Sequence, residues 1–382
     1  MRQRSAMALE DFRDELAGTA ALLAAPGTGL LAADESTGTI GKRFEAIGLE
    51  NSEANRRAYR TLLATTPGLA EHISGVILFE ETLFQDSDAA VMAAVAQDAA
   101  PDAAASGDPQ PIVALFQQKG IVPGIKVDLG VEDLAGGLAG ESWCTGLKGL
   151  SERAARYYAR GARFAKWRAV LRISASGCPS ELAVRENAWG LARYARTVQE
   201  QGLVPIVEPE ILMDGDHDIA TTASVQEWVL RTVYEALGVN GVFLEGSLLK
   251  PSMTTAGADC QARPSVDEVG EFTVRTLSRT VPAAVPAILF LSGGLSEEDA
   301  SLCLNAINEA AAIGFAPWHL GFSFGRALQH SCLKHWNGRD VAAGQAVLLA
   351  RARANGAASR GAYVAGTEPS DDESLFVSNY SY

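Results

Sequence analysis

The chain has 382 residues, of which 47% are hydrophobic, and a formal net charge of −14. This negative charge disfavours nonspecific binding to nucleic acid or to anionic membranes. The chain contains no run of about 18 apolar residues that could span a bilayer. The five cysteines are scattered and lack CxxC spacing, which favours a reducing compartment over a disulfide-rich secreted protein.

Short apolar segments alternate with longer amphipathic or alanine-rich segments along the chain. In chain order, the predicted strands are 29–33, 76–79, 123–127, 164–171, 203–207, 242–249, 287–291 and 319–323. The main predicted helices are 52–64, 150–160, 179–201, 224–237, 266–279 and 296–312. Strands that alternate with helices indicate a parallel sheet, and eight such units favour a (β/α)8 barrel over a doubly wound sheet.

Two regions fall outside this repeat. Residues 86–109 are rich in Ala, Asp and Pro, which predicts a loop or loosely helical insertion between the second and third strands. Residues 361–382 are rich in Gly, Ser and Asp and end in aromatic residues, which predicts a mobile tail. We therefore expect one barrel domain over residues 1–360 and a flexible C-terminal tail over 361–382.

Ionisable residues lie inside segments that otherwise predict buried strands. Lys166 and Arg168 are spaced i, i+2, as are Glu208 and Glu210, so both members of each pair point to the same face of a strand. Lys250 ends the sixth predicted strand. Burying an unpaired charge is costly, so these residues indicate a reactive site. A lysine near other cations loses its proton more readily and attacks carbonyls, which makes Schiff-base chemistry the first hypothesis.

Polar groups lie within or directly after seven of the eight predicted strands, toward the end where barrel enzymes place their catalytic residues. These groups are Asp34, Lys126 and Asp128, Lys166 and Arg168, Glu208 and Glu210, Lys250, Ser292 with Gly293 and Gly294, and Gly325 with Arg326. A satisfied ion pair between neighbouring strands could explain any one of them. It does not explain their coincidence in strand after strand, which is typical of an active site.

Glycines after the last two predicted strands indicate a phosphate site. Ser292 and Gly293 follow the seventh strand, and Gly325 and Arg326 follow the eighth. Glycine lets backbone N–H groups approach an anion closely, and arginine can bind a phosphate with two hydrogen bonds. A Ser-Gly-Gly turn alone is more often only a turn. Beside an arginine on the next strand, it indicates the phosphate site that recurs after strands seven and eight of this fold.

With these motifs the sequence resembles the Schiff-base (class I) fructose-bisphosphate aldolases of plant or algal type. The matching stretches are LAADESTG from residue 31, GVILFEETL from 75, GIKVD from 124, FAKWR from 164, IVEPEIL from 206, LLKP from 248, FLSGG from 290 and FGRAL from 324. The resemblance runs from about residue 27 to 354 and resumes at the terminal tyrosine. It implies reversible cleavage of fructose 1,6-bisphosphate to dihydroxyacetone phosphate and glyceraldehyde 3-phosphate, in glycolysis, gluconeogenesis or the Calvin cycle.

The resemblance also implies catalytic roles for individual residues. Lys250 would form the Schiff base, and Glu208 would be the acid/base for carbinolamine formation and dehydration. Lys166, with its carboxylate neighbour Glu210, would assist this chemistry. Asp34 would take the proton of the C4 hydroxyl during carbon–carbon cleavage.

Binding roles and the tail follow from the same resemblance. The residues implied at the C1 phosphate are Ser292, Gly293, Gly325 and Arg326. Those implied near the C6 phosphate are Ser36, Lys42, Arg43 and Lys126. Arg168 would support the charge network, and Tyr382 would reach the active site from the tail for proton transfer at the carbanion stage.

No metal or cofactor is expected. The five histidines show no clear ligand cluster, which argues against the zinc-dependent aldolases, and an iminium on lysine polarises the carbonyl in place of a metal. Two alternatives stay open: a sedoheptulose-bisphosphate aldolase and a non-catalytic scaffold with the aldolase fold. The resemblance implies a homotetramer. We expect a cytoplasmic location, with the plastid stroma as the alternative compartment.

Overall fold

A closed barrel of eight parallel strands forms the centre of the computed structural model, which describes residues 9–98, 108–314 and 316–378. The strands are β1 Gly29–Ala33, β2 Ile73–Leu78, β3 Val122–Lys126, β4 Val131–Asp133, β5 Ser142–Cys144, β6 Phe164–Leu171, β7 Val204–Ile211, β8 Leu248–Leu249, β9 Ala287–Phe290 and β10 His319–Phe324. The order around the barrel is β1-β10-β9-β8-β7-β6-β3-β2, and β4 and β5 form a separate antiparallel pair. The predicted (β/α)8 barrel is confirmed.

Helices surround this barrel. They are α1 Arg13–Leu23, α2 Thr37–Glu45, α3 Glu53–Thr65, α4 Glu80–Phe84, α5 Ala89–Asp98, α6 Ile112–Gln118, α7 Leu150–Arg160, α8 Glu181–Gln199, α9 Ile219–Val239, α10 Val266–Ser278, α11 Glu297–Ile313, α12 Arg326–Trp336 and α13 Val341–Ala358. Several begin at a serine whose hydroxyl accepts a backbone N–H of the first turn; Ser265 and Glu268 form a reciprocal capping box. None of the described helices is long and apolar enough to cross a membrane.

An apolar plug closes the N-terminal end of the barrel. Leu16 and Leu23 of α1 belong to one buried cluster with strand residues that include Leu30, Ile206 and Leu289. Burial of this surface is favourable, and it leaves the opposite end of the barrel for polar side chains.

The sixth predicted strand is shorter than expected. Only Leu248–Leu249 pairs with its neighbours, because a 3₁₀ turn at Leu244–Gly246 precedes it. A Cβ added at Gly246 would lie 2.8 Å from the Leu16 Cβ, so this backbone packs directly under α1. The apolar residues at 242–249 indicate that the segment is buried. Burial alone does not distinguish a strand from a tight turn.

The insertion predicted at 86–109 contains helix α5, and its residues 99–107 lie outside the described residues. Its base is closed by an antiparallel bridge between Asp86 and Pro111. The pair β4–β5 was not predicted, since strands of three residues carry too little periodicity.

Packing inside the barrel predicts the effect of one glycine substitution. A Cβ added at Gly124 would lie 2.2 Å from the ring of Phe164, which is fully buried. We expect Gly124→Ala to lower the free energy of unfolding by about 1–3 kcal/mol, the usual cost of overpacking. Gly190→Ala in α8 is the control, because no atom lies within 4 Å of its added Cβ. Chemical denaturation should show a neutral or positive change for the control; equal stability of both variants would contradict this packing argument.

Candidate active site

Four buried side chains form a chain of alternating charge at the C-terminal end of the barrel. Lys166 Nζ on β6 lies 2.8 Å from Oδ2 of Asp34, which directly follows β1, and 3.5 Å from Oε2 of Glu208 on β7. The other oxygen of Glu208 lies 3.3 Å from Nζ of Lys250, which follows β8. All four residues are at most 3% exposed. The structure therefore brings together four of the predicted catalytic residues.

The cations around Asp34 hold it as a carboxylate. Burial alone would raise its pKa, but Lys166 and Lys250 more than offset this effect and lower the pKa to about 2. Asp34 is thus ionised at neutral pH and able to accept a proton from a group that approaches it.

Arg168 and Glu210 form the second buried ion pair. Nε of Arg168 donates to Oε2 of Glu210, across the parallel pairing of β6 and β7. Burial favours the neutral acid, whereas Arg168, Lys250 and Arg326 favour the charged form, and the net effect lowers the pKa of Glu210. As the i, i+2 spacing predicted, the two members of each charged pair lie on the same face as the reactive cluster.

Lys126 occupies the neighbouring strand. It pairs in register with Lys166, and its Nζ donates to the carboxylate and the carbonyl of Asp128. Asp128 therefore neutralises a cation that would otherwise lie buried next to Lys166.

A small polar pocket opens beside this cluster. It is lined by residues of the reactive group and of both glycine motifs: Glu208, Glu210, Lys250, Ser292, Gly293, Gly325 and Arg326. Gly293 has φ +60°, a conformation that glycine adopts without strain. The two glycine motifs predicted from the sequence thus meet at one pocket, together with Lys250.

Arg43 lines the same pocket and is held by a residue that the sequence analysis missed. Its Nη1 donates to Oε1 of Glu35, while Arg60 Nη2 donates to Oε2 at 2.7 Å and Gln329 Nε2 to Oε1 at 3.1 Å. Burial would raise the pKa of Glu35, but Arg43 and Arg60 lower it. Glu35 directly follows Asp34 in the sequence, and a second carboxylate at this position was the signal that could have identified it. Asp34 faces the lysines of the site, whereas Glu35 faces Arg43 and Arg60.

Ser36 and Lys42 lie apart from this pocket. Ser36 begins α2 and its hydroxyl accepts the N–H of Thr39 at 3.2 Å. Lys42 is exposed and lines an open cleft with Gly38 and Glu45. The structure therefore does not bring these two residues of the predicted C6-phosphate group together with Arg43.

The described part of the tail lies against the barrel. Arg326 Nη1 donates to the carbonyl of Leu375, and Ser378 Oγ donates to Oδ1 of Asp214 at 3.1 Å. Upstream, Lys334 Nζ lies 2.6 Å from Oδ2 of Asp371. The tail thus contacts Arg326, which lines the pocket, whereas Tyr382 lies outside the described residues.

One group of potential metal ligands occurs among the described residues. It consists of His330, Asp371 and Glu373, which the sequence spacing did not suggest. Both carboxylates already have a cation in Lys334, whose Nζ lies 2.6 Å and 3.0 Å from them. The group lies on α12 and the tail, and none of its members lines the Lys250 pocket.

The lowered pKa of Asp34 predicts a pH dependence of stability. Its folded-state value of about 2 lies below the ordinary 3.8, so the ionised carboxylate stabilises the fold above about pH 4, and this contribution is lost as the pH falls toward about 2. We expect Asp34→Asn to lower the free energy of unfolding by about 2 kcal/mol at neutral pH, with a smaller difference near pH 3. Denaturation across this range measures it, with exposed Asp133→Asn as the surface control; a deficit independent of pH would contradict the prediction.

The chain is similar to known proteins over nearly its whole length. The family model described as "Glycolytic: Fructose-bisphosphate aldolase class-I" matches residues 15–100 and 102–382. The cytosolic fructose-bisphosphate aldolase 4 of Arabidopsis thaliana is 53% identical over 96% of this chain and 89% of its own, and the chloroplastic enzyme of rice is 50% identical over 97% and 90%.

A solved structure is similar in fold as well. Fructose-bisphosphate aldolase from Plasmodium falciparum, in a ternary complex with TRAP and a small-molecule inhibitor, superposes with a TM-score of 0.86. It is 52% identical in sequence, and the match covers 93% of this chain and 97% of the other. With the family model matching nearly the whole chain, these likenesses show that the chain belongs to the class-I fructose-bisphosphate aldolase family.

Proposed function

We propose that this chain catalyses the reversible cleavage of fructose 1,6-bisphosphate to dihydroxyacetone phosphate and glyceraldehyde 3-phosphate through a Schiff base on Lys250. The observation that carries this proposal is the buried run Asp34–Lys166–Glu208–Lys250 at the mouth of the barrel. The names of the relatives, both cytosolic and chloroplastic fructose-bisphosphate aldolases, support the same reaction.

Lys250 begins the reaction as the nucleophile. Its Nζ attacks the C2 carbonyl of the open-chain ketose, and Glu208, 3.3 Å away, transfers the protons needed to form and dehydrate the carbinolamine. Lys166 contacts both Glu208 and Asp34, so it stabilises the charge of each carboxylate as protons move. Glu210, bound to Arg168, keeps the net charge around Lys250 balanced.

Asp34 accepts the proton of the C4 hydroxyl in the next step. The C3–C4 electron pair then moves toward the iminium carbon, the new C4 aldehyde leaves as glyceraldehyde 3-phosphate, and an enamine remains on Lys250. The low pKa of Asp34 suits this role, because the group is a carboxylate before the step. Protonation of the enamine at C3 and hydrolysis release dihydroxyacetone phosphate.

The two phosphates orient the substrate. Ser292, Gly293, Gly325 and Arg326 share the pocket with Lys250 and would bind the C1 phosphate. Arg43 lines this pocket, so we place it with the same group, whereas Lys126 stays assigned to the C6 end. Binding energy at both ends can be used to orient the reacting carbon atoms.

Four features remain predictions from the sequence. They are the proton transfer by Tyr382, the division into a barrel over 1–360 and a tail over 361–382, the homotetramer, and the cytoplasmic location with the plastid stroma as alternative. Relatives from both compartments support either location equally.

Replacement of Lys250 tests the nucleophile. Borohydride reduces an iminium to a stable amine, so treatment with fructose 1,6-bisphosphate should label Lys250 in the wild type and leave Lys250→Ala unlabelled and inactive. Lys119→Ala is the matched control, since Lys119 Nζ bonds the Thr66 carbonyl and does not line the pocket. Peptide mapping identifies the labelled lysine; a label on Lys166 in the Lys250→Ala variant would show that the assignment is wrong.

Replacement of Arg326 tests phosphate recognition. Arg326→Ala removes a charge-assisted contact, so we expect weaker binding of the bisphosphate by roughly 2–3 kcal/mol. The loss should be much smaller for a ketose that lacks the C1 phosphate. Steady-state kinetics with both substrates measures the difference, and equal losses would mean that Arg326 serves the fold or the tail instead.

A further inference from the structure

Glu297 is a fully buried carboxylate at the start of α11. It is 0% exposed, and its two oxygens accept three hydrogen bonds from two other parts of the chain. Ser331 on α12 donates twice, through its backbone N–H to Oε1 at 3.0 Å and through its hydroxyl to Oε2 at 2.6 Å. The backbone N–H of Asp371 in the tail also donates to Oε2, at 3.1 Å. This one carboxylate therefore joins α11, α12 and the tail.

The backbone at Glu297 is held from the opposite side by α13. Nη2 of Arg351, which is 0% exposed, donates to the Glu297 carbonyl and to the Ser301 hydroxyl, both at 2.6 Å. Nη1 of the same arginine lies 3.8 Å from a carboxylate oxygen of Glu298. The start of α11 is thus fixed to α13, and the Glu297 side chain fixes α12 and the tail to the same point.

These segments reach the polar pocket within a few residues of the carboxylate. Ser292 precedes Glu297 by five residues, Arg326 precedes Ser331 by five, and both Ser292 and Arg326 line the pocket. The tail contacts Arg326 as well. Five helical residues span about 7.5 Å, and close-packed interiors transmit displacement, so a shift of α12 against α11 at Glu297 changes the distance between the two sides of the pocket.

We propose that Glu297 is a positioning residue of this pocket, whose carboxylate holds α11 and α12 at the separation at which the Ser292-Gly293 turn and Arg326 bind one phosphate. The proposal rests on the proposed function, because it needs the C1 phosphate that these groups would bind. Glu297 does not line the pocket, so it acts through the two helices rather than on the substrate. Groups that are already in place lose less conformational freedom when a ligand binds, which increases affinity.

A second buried glutamate provides a matched control. Glu141, between β4 and β5, is 5% exposed and accepts the backbone N–H and the hydroxyl of Ser180, the hydroxyl at 2.6 Å, as well as the N–H of Leu138 at 2.7 Å. The donors are of the same kinds as at Glu297: both groups of one serine and one loop N–H. Glu141 joins its loop to the start of α8 and does not line the pocket, so its loss should affect stability alone.

Glutamine at each position tests the proposal. A side-chain amide has one acceptor oxygen, so in Glu297→Gln one of the donors faces an NH2 group instead of an oxygen. We expect both Glu297→Gln and Glu141→Gln to lower the thermal unfolding midpoint, because each loses buried hydrogen bonds. Borohydride trapping on Lys250 is then measured below both midpoints. It is titrated with dihydroxyacetone phosphate and with dihydroxyacetone, which differ only in the phosphate.

The two ketones separate positioning from stability. We expect Glu297→Gln to raise the half-saturating concentration of dihydroxyacetone phosphate roughly 10-fold and to leave that of dihydroxyacetone unchanged. Glu141→Gln should change neither concentration. Ser331→Ala removes only the hydroxyl donor and should give a smaller rise for the phosphate ester, so it replaces Glu297→Gln in the test if that variant does not fold.

Other results would overturn the proposal. A lowered midpoint with unchanged trapping would make Glu297 a structural contact only, and so would an equal rise for both ketones or a matching rise in Glu141→Gln. If only Ser331→Ala folds and its trapping equals that of the wild type, the proposal also fails. Absence of trapping on Lys250 in the wild type with dihydroxyacetone phosphate would instead refute the proposed function, and this result is distinguishable because it precedes any comparison of variants.

Discussion

Charge compensation at the buried end of the barrel is the constraint on which the site depends. Lys166 is 1% exposed, and its Nζ contacts the carboxylates of Asp34 and Glu208, while Lys250 contacts the second oxygen of Glu208. Removing one partner of such a set leaves a buried charge that is less well compensated, and this destabilises the fold. Each of the four residues lies on, or directly after, a different strand, so their geometry is fixed by the closure of the barrel rather than by any local segment.

One end of the barrel is apolar and contributes to stability, whereas the other end carries the charged residues of the site. At the N-terminal end, α1 buries Leu16 and Leu23 against strand residues such as Ile206. Two positions beyond Ile206 in the parallel pairing of β6 and β7, the register aligns Arg168 with Glu208. One strand therefore changes from hydrophobic packing to ion pairing within a few residues. The favourable burial of apolar side chains at one end of the barrel offsets the unfavourable burial of charged groups at the other.

The strand pattern and the i, i+2 charges were predictable because both follow from the alternation of side chains along a strand. The predicted helices lie within a few residues of the observed ones, except that α9 begins at Ile219 rather than at 224, because their apolar periodicity extends over several turns. The long helix α13 Val341–Ala358 was not predicted. Two features were beyond such reasoning. The shortening of β8 depends on contact with α1, and the position of Arg43 depends on its bond to Glu35. Each depends on residues distant in sequence, for which a linear pattern carries no signal.

The overall charge has a consequence for how an anionic sugar phosphate arrives. At a net charge of −14, the protein repels a doubly phosphorylated molecule at long range, whereas the cations that attract it lie inside the barrel mouth. Screening at physiological ionic strength limits both effects to about 8 Å. Capture is therefore a short-range event at the mouth rather than a result of long-range electrostatic steering. Added salt then has opposite effects on the two stages. It weakens the long-range repulsion between the protein and the substrate, and it weakens the attraction between the bound phosphates and the cations of the pocket.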